Sequence, residues 1–269
     1  MLTTASSPHV LAQVAHPWLA VVLANNLPRA GKTGAVLLQL KAFVGSASRL
    51  AWARANGCAW VAESCAVAAA GGHLDVLQWA REHGSPWFGH NICAQAAAGG
   101  HLEMLKWARE QGCESDLMTC YMAAEGGHLD VLRWVREQGW ELDETVCSSA
   151  AAAGHLEVLK WARGLGCPWD AKTCTYAADG GHLEVLKWAR ANHCPWNRWT
   201  CADAAAGGHL ELLQWAREHG CPWDSVTCIY AVQNRRIGVL RWAIEHGCPG
   251  GADHVHYLTQ AWAVINVGP

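Results

Sequence analysis

The chain has 269 residues, 51% apolar and 16% charged, which suits one large domain or a repeat array and excludes a disordered chain. Its formal net charge is −3, from 20 basic and 23 acidic residues, so it has no field to attract nucleic acid or an anionic membrane. The longest apolar runs, such as WLAVVLA at Trp18–Ala24, fall far below the roughly 20 residues of a spanning helix, and no membrane partner is expected.

The N-terminal segment reads as two helices, PHVLAQVAHPWLAVVLANN and GAVLLQLKAF, separated by LPRAGKTG. It lacks a basic region of the signal-peptide kind, which points to an intracellular, cytoplasmic chain, without ruling out the nucleus. RAGKTGA contains the Gly-Lys of a P-loop, but Asn26 stands where that motif needs its first glycine, so no nucleotide cofactor is expected. Residues 1–43 do not fit the period that follows and are expected to form a helical cap.

From residue 44 to 248 the chain repeats. A Gly-His pair places histidine at His73, His101, His128, His155, His182 and His209, with Ser46 and Arg236 in register beyond them. Six residues after each marker stands a tryptophan: Trp52, Trp79, Trp107, Trp134, Trp161, Trp188, Trp215 and Trp242. A fixed period of 27–28 residues is the mark of a solenoid of about seven units, each burying its apolar face only against its neighbours. Each unit reads as two helices. The first is short, with an N-cap at Asp116, Asp143, Asp170, Asn197 or Asp224 and a stripe of small residues such as Cys174, Ala177 and Ala178. The second, as in HLEVLKWARANH, has an apolar face of Leu183, Val185, Leu186, Trp188 and Ala189. It ends on a glycine suited to a left-handed cap, replaced in one unit by His193, where a weaker cap is expected. Residues 249–269 start another first helix and stop, as a partial repeat or cap.

AADGGHLEVLKWARANHC at Ala177–Cys194 resembles the ankyrin pattern A-A-x-x-G-H-L-E-V-V-K-x-x-x-x-x-G-A, and the fit recurs at Ala96, Ala123, Ala150 and Ala204. The ankyrin period is 33 residues. The six missing here fall where ankyrins carry their β-hairpin finger, and TC stands in place of the middle of TPLH. The resemblance is to a short, hairpin-poor variant similar to algal and large-virus ankyrin repeat proteins. It implies an all-α solenoid of stacked antiparallel helix pairs without long β-hairpin fingers, and a protein-binding role. LPRAGKTGAVLLQLKAF resembles the opening of an F-box, which implies an alternative role as substrate adaptor of a ubiquitin ligase.

Thirteen cysteines form two ladders. One is Cys58, Cys113, Cys167, Cys194, Cys221 and Cys248; the other is Cys65, Cys93, Cys120, Cys147, Cys174, Cys201 and Cys228. No C-x2-C or H-x3-H pair occurs, so a zinc array is not expected, although a metal-binding or redox-responsive role stays as a further alternative. Equivalent cysteines in adjacent units should lie about 8–10 Å apart, beyond the reach of roughly 7 Å that a disulfide needs. Buried free thiols are the expectation, while a bridge between the ladders, for instance Cys167 with Cys174, stays open. The marker histidines are expected to bond local backbone rather than metal. The helix-borne tryptophans are expected in the core. The linker tryptophans Trp60, Trp87, Trp169, Trp196 and Trp223 are expected to seal the edge left by the missing hairpin, an exposed binding row being the competing arrangement.

Positions on the first helix that vary between units offer a surface for a partner. One row is Ala94, Tyr121, Ser148, Thr175, Ala202 and Ile229; the next includes Gln95, Met122, Ser149, Tyr176, Asp203 and Tyr230. Glu125, Ala152, Asp179 and Gln233 follow, with Met118, Lys172 and Trp199 one turn earlier. Tyr, Trp and Met are favoured at interfaces. The resemblance implies that this face lines the ankyrin groove. The expected binding face is therefore Gln95, Met118, Tyr121, Met122, Glu125, Lys172, Tyr176, Asp179, Trp199, Asp203, Tyr230 and Gln233. No acid pair, activated nucleophile or phosphate loop recurs, so a non-catalytic, cofactor-free, monomeric scaffold for protein partners is expected.

Overall fold

The computed structural model describes residues 62–84, 89–113 and 117–254. The cap expected over 1–43, the unit at Ser46 and Trp52, Cys58, Trp60, Trp87, Asp116 and the tail from 255 lie outside the described residues. The described residues divide into two compact units, 62–68 with 73–84, and 69–72 with 89–254. They hold fourteen α-helices and no strand. The first unit contains most of α1 (Ala62–Ala70) and α2 (Leu74–Glu82), in which Val76, Leu77 and Ala80 are buried.

The second unit is an α-solenoid of six helix pairs. In order they are α3 (Gly89–Ala98) and α4 (Leu102–Glu110), α5 (Leu117–Gly126) and α6 (Leu129–Glu137), α7 (Glu144–Ala152) and α8 (Leu156–Gly164). Then come α9 (Ala171–Asp179) and α10 (Leu183–Ala191), α11 (Arg198–Gly207) and α12 (Leu210–Glu218), α13 (Ser225–Gln233) and α14 (Ile237–Glu245). Within this unit successive first helices pack on one another, and each packs on its own second helix. A 3-10 turn at Gly251–His254 closes against α13 and α14.

Local chemistry sets these limits. Asp143, Asp170, Asn197 and Asp224 cap their helices by accepting from the backbone N–H of Thr145, Lys172, Trp199 and Val226 at 2.9–3.0 Å. At the other end of a first helix, Gly127 turns left-handed (φ 77°) and the His128 amide donates back to Ala123 O at 2.9 Å. Second helices end the same way: Cys167 N–H reaches Ala162 O at 3.0 Å just after Gly166. His193, in the glycine position, also adopts φ 66° and keeps both closing bonds, from His193 N to Arg190 O and from Cys194 N to Ala189 O. The expected weaker cap is thus a strained residue rather than lost hydrogen bonds.

The core is made of small residues. Cys147, Ala150 and Ala151 of α7 are fully buried, as are Cys174, Ala177 and Ala178 of α9. Each second helix adds a pair such as Val185 and Leu186 with Ala189. Leu183 and Trp188 are only half-buried, as is every described helix-borne tryptophan from Trp79 to Trp242, which corrects the expectation that this ladder lies in the core. These rings are covered from outside. Trp169, Trp196 and Trp223 of the linkers meet Trp188, Trp215 and Trp242 edge-on or tilted, with centroids 5.9–6.0 Å apart. On their other side Arg163, Arg190 and Arg217 of the preceding second helix lie 4.2–4.3 Å from the same linker rings. Each of these three linker tryptophans, half-buried, thus bridges two successive second helices, which is the sealing arrangement.

The marker histidines do more than bond local backbone. Each described ring from His101 onward crosses to the preceding repeat, where Nε2–H donates to a carbonyl: His101 to Ala70, His128 to Ala98, His155 to Glu125, His182 to Ala152 and His209 to Asp179, at 2.9–3.0 Å. Arg236 does the same with Nε, to Ala206 O at 3.0 Å. The imidazole needs the preceding glycine turn to be bare: a Cβ on Gly154 (φ 79°) would stand 2.6 Å from His182 Nδ1. Ala153 occupies the first position of one glycine pair, so the second glycine is the strict one.

The cysteine expectation also changes. Cys93 and Cys113 are joined by a disulfide between the two ladders, with Cα atoms 6.7 Å apart, while Cys147, Cys167, Cys174, Cys194, Cys201, Cys221, Cys228 and Cys248 are free and buried. The register is 20 residues within one repeat, not the seven of Cys167 and Cys174. The end of a second helix folds back over the first turn of its own first helix, whereas Cys174 lies beyond the Asp170 cap in the next pair.

His128→Ala is expected to lower stability by about 1–2 kcal/mol in urea unfolding, since it removes one inter-repeat hydrogen bond and leaves the Ala98 carbonyl open. His193→Gly is expected to raise stability by about 1 kcal/mol in the same measurement, by relieving a left-handed non-glycine residue.

Candidate partner-binding face

A nine- or ten-residue helix whose buried stripe is Cys-x-x-Ala-Ala must turn its remaining positions outward. Among the described residues, the large apolar side chains most open to solvent are Leu117 (59%), Met118 (50%), Leu165 (50%), Tyr176 (42%), Trp199 (38%) and Tyr121 (37%). All but Leu165 belong to first helices. Of the expected face, Met118, Tyr121, Glu125, Lys172, Tyr176, Asp179, Trp199 and Gln233 are exposed, and Gln95, Met122, Asp203 and Tyr230 are half-buried. The row through Ala94, Ser148, Thr175 and Ala202 is instead buried between helices, leaving only Tyr121 and Ile229 of that row open. Ser149 is buried too, and both α7 hydroxyls, Ser148 and Ser149, bond back to Thr145 O. The α7 stretch of the face is therefore small and closed, between the tyrosines of α5 and α9.

Several of these side chains interact. Trp199 and Tyr230 pack with centroids 6.2 Å apart, tilted by 41°. Arg198 lies over the Trp199 ring at 5.2 Å and pairs with the Asp224 carboxylate at 2.9 Å. Arg198 and Leu117 stand at the first helical position, which sequence reasoning passed over; its change from Leu117 to Glu144, Ala171, Arg198 and Ser225 was the available signal. Burial raises the Tyr121 hydroxyl above the usual tyrosine range, followed by the charge of Glu125, a hydrogen bond with it, and Tyr176. Burial, and then the neighbouring Asp179 carboxylate, push Asp203 up to about 6. The face thus combines aromatic rings with a pair of acids that repel one another. Among the described residues no cluster of three or more His, Cys, Asp or Glu side chains gathers as a metal would need.

A family model described as ankyrin repeats (many copies) matches residues 120–163, which runs from α5 to α8 and covers nearly all of two successive helix pairs. No curated protein matches the chain. Among the solved structures that match is the crystal structure of the human ASB11 ankyrin repeat domain, at 16% identity over 59% of this chain and 84% of that one, with a TM-score of 0.46. Repeats of this kind in general mediate protein–protein interaction. No described helix is long and apolar enough to cross a membrane.

Asp203 binds its proton more readily in the folded chain. Its contribution to stability is therefore full below the unfolded carboxylate range, near about 4, and is lost as pH rises through about 6. Asp203→Asn is expected to unfold at higher temperature than the wild type at pH 7. The gap should close as pH falls to about 4, and solvent screening of the half-exposed group keeps it modest.

Proposed function

We propose that this ankyrin-repeat chain is a non-catalytic scaffold that binds a protein partner along the outer face of its first helices. The observation that carries this reading is that exposed Met118, Tyr121, Tyr176 and Trp199 all stand on first helices, those of α5, α9 and α11. Nothing in the packing of a Cys-x-x-Ala-Ala helix requires aromatic rings there, and such rings in contact with solvent lose free energy that a partner would recover. The opposite edge already spends its aromatic surface internally, in the Arg–Trp–Trp contacts between second helices.

The partner chemistry follows from the same residues. Met118 and the rings suit apolar side chains, while Glu125, Asp179 and Asp203 suit basic ones, with Lys172 and Arg198 as the cationic exceptions. A protein segment with interspersed apolar and basic side chains fits this face best. The chain acts as a monomer within the cell in this reading. Recruitment to a ubiquitin ligase remains the alternative on the F-box-like stretch LPRAGKTGAVLLQLKAF, and capture of an F-box partner separates it from simple scaffolding.

Alanine substitution of Tyr121, Tyr176, Trp199 and Tyr230 together is expected to reduce capture of the partner by at least about 30-fold, since two hot-spot rings alone are commonly worth more than about 2 kcal/mol. Circular dichroism and melting temperature should stay close to wild type. Unchanged capture with the fold intact would place binding elsewhere.

A further inference from the structure

The two cysteine ladders meet in pairs 20 residues apart, and one such pair, Cys93–Cys113, is already a disulfide. In four other repeats the same two positions hold free, buried thiols: Cys147 with Cys167, Cys174 with Cys194, Cys201 with Cys221, and Cys228 with Cys248. In each pair the partner thiol is the largest influence on the cysteine's ionisation, so the two sulfurs are close neighbours. Each linker thiol also donates to the carbonyl of the residue that caps its own first helix: Cys167 to Asp143, Cys194 to Asp170, Cys221 to Asn197 and Cys248 to Asp224, at 3.0–3.4 Å. Simple packing would scatter cysteines among alanines. Here two sulfurs are brought into contact repeatedly, in the register that closes as a bridge in a sister repeat.

We propose that these four pairs are thiol–disulfide exchange sites, each closed into an intra-repeat bridge by a low-molecular-weight disulfide of the glutathione class. The linker cysteine is the attacking group in the repeats of Cys194 and Cys221. Its thiolate is held below the usual thiol range first by the hydrogen bond from its partner thiol, and also by the hydroxyl of Thr173 or Thr200 and the nearby guanidinium of Arg190 or Arg217. Those two threonine hydroxyls are fully buried and have no other hydrogen-bond partner, so they are free to serve a thiolate.

The linker thiol loses its proton and its sulfur attacks one sulfur of the small disulfide, expelling a small thiolate that takes up a proton. The helix cysteine then loses its proton, attacks the linker sulfur and expels the second small thiol. Two S–H bonds and one S–S bond are broken, one protein S–S bond and two small-molecule S–H bonds form, and two electrons pass to the small disulfide. The pairs are buried, so exchange proceeds through local opening of the linker rather than on the closed array. Closure ties the linker to the first turn of the helix whose outer face carries Lys172 and Tyr176 in one repeat and Trp199 in the next.

The test treats the reduced full chain with oxidised glutathione in urea below the unfolding transition, blocks remaining thiols, and maps bridges by non-reducing mass spectrometry. The expected products are Cys147–Cys167, Cys174–Cys194, Cys201–Cys221 and Cys228–Cys248. Thr173→Val is expected to slow closure of the Cys174–Cys194 bridge several-fold while the other three close at their former rates. Cys174→Ser is expected to leave a stable glutathione adduct on Cys194. If that variant does not fold, Cys201→Ser gives the same readout at Cys221. Bridges in other registers, thiols that all remain open to alkylation after denaturation, or adducts in the wild-type chain that never resolve would each overturn the proposal.

Discussion

The array depends on one hydrogen bond repeated between neighbours: an imidazole Nε2–H of one repeat donating to the carbonyl at the end of the first helix of the repeat before it. Helices of nine residues are marginal alone, so stacking must hold them. The core they share is thin, built from Ala, Cys and one pair of larger side chains per second helix such as Val185 and Leu186, and transmits little shape by itself. The imidazole supplies direction. It fixes how far each turn sits from the last, and it can do so only because the preceding turn carries a glycine with φ near 79° and no Cβ, as at Gly154. The Gly-His pair is therefore one device spanning two repeats.

This arrangement leaves the two sides of the stack chemically different. First helices pack closely through small residues and release their outer positions, where rings and acids project without structural duty. Second helices carry larger side chains and do not close completely over them. The half-buried tryptophans there each meet the ring of the preceding linker, over which an arginine of the second helix before lies. A shortened linker thus takes over part of the packing that a longer one would contribute, and it leaves the first-helix side as the surface with uncommitted aromatic area.

Much of this was legible in the sequence. The period, the two helices, the aspartate and asparagine caps, the left-handed glycines and the Cys-x-x-Ala-Ala stripe all follow from local chemistry, and local chemistry repeats with the chain. What was not legible depends on distances between turns. The reach of His182 to Ala152 is a contact across 30 residues and cannot be told from a local bond by spacing. Trp188 looks like core because it extends the wide apolar face that begins at Val185 and Ala189, but it stands at the edge of that face, away from Leu186, and is only half-buried. Ser148 and Ala202 vary between repeats and yet are buried, because a small side chain varies freely inside a close helix–helix contact. The cysteine register of 20 emerges only once the second helix is seen to return over the first turn of its own repeat.

The central claim is that partner binding uses the outer face of the first helices. The most direct measurement places a photo-crosslinking amino acid at Tyr176 in one preparation and at Lys187, on the second helix of the same repeat, in another. Irradiation in cell extract followed by mass spectrometry should yield one dominant adduct from position 176, suppressed by the quadruple aromatic substitution, and no matching adduct from position 187. The same adduct from position 187 with none from 176 would contradict the account and move the binding face to the second helices.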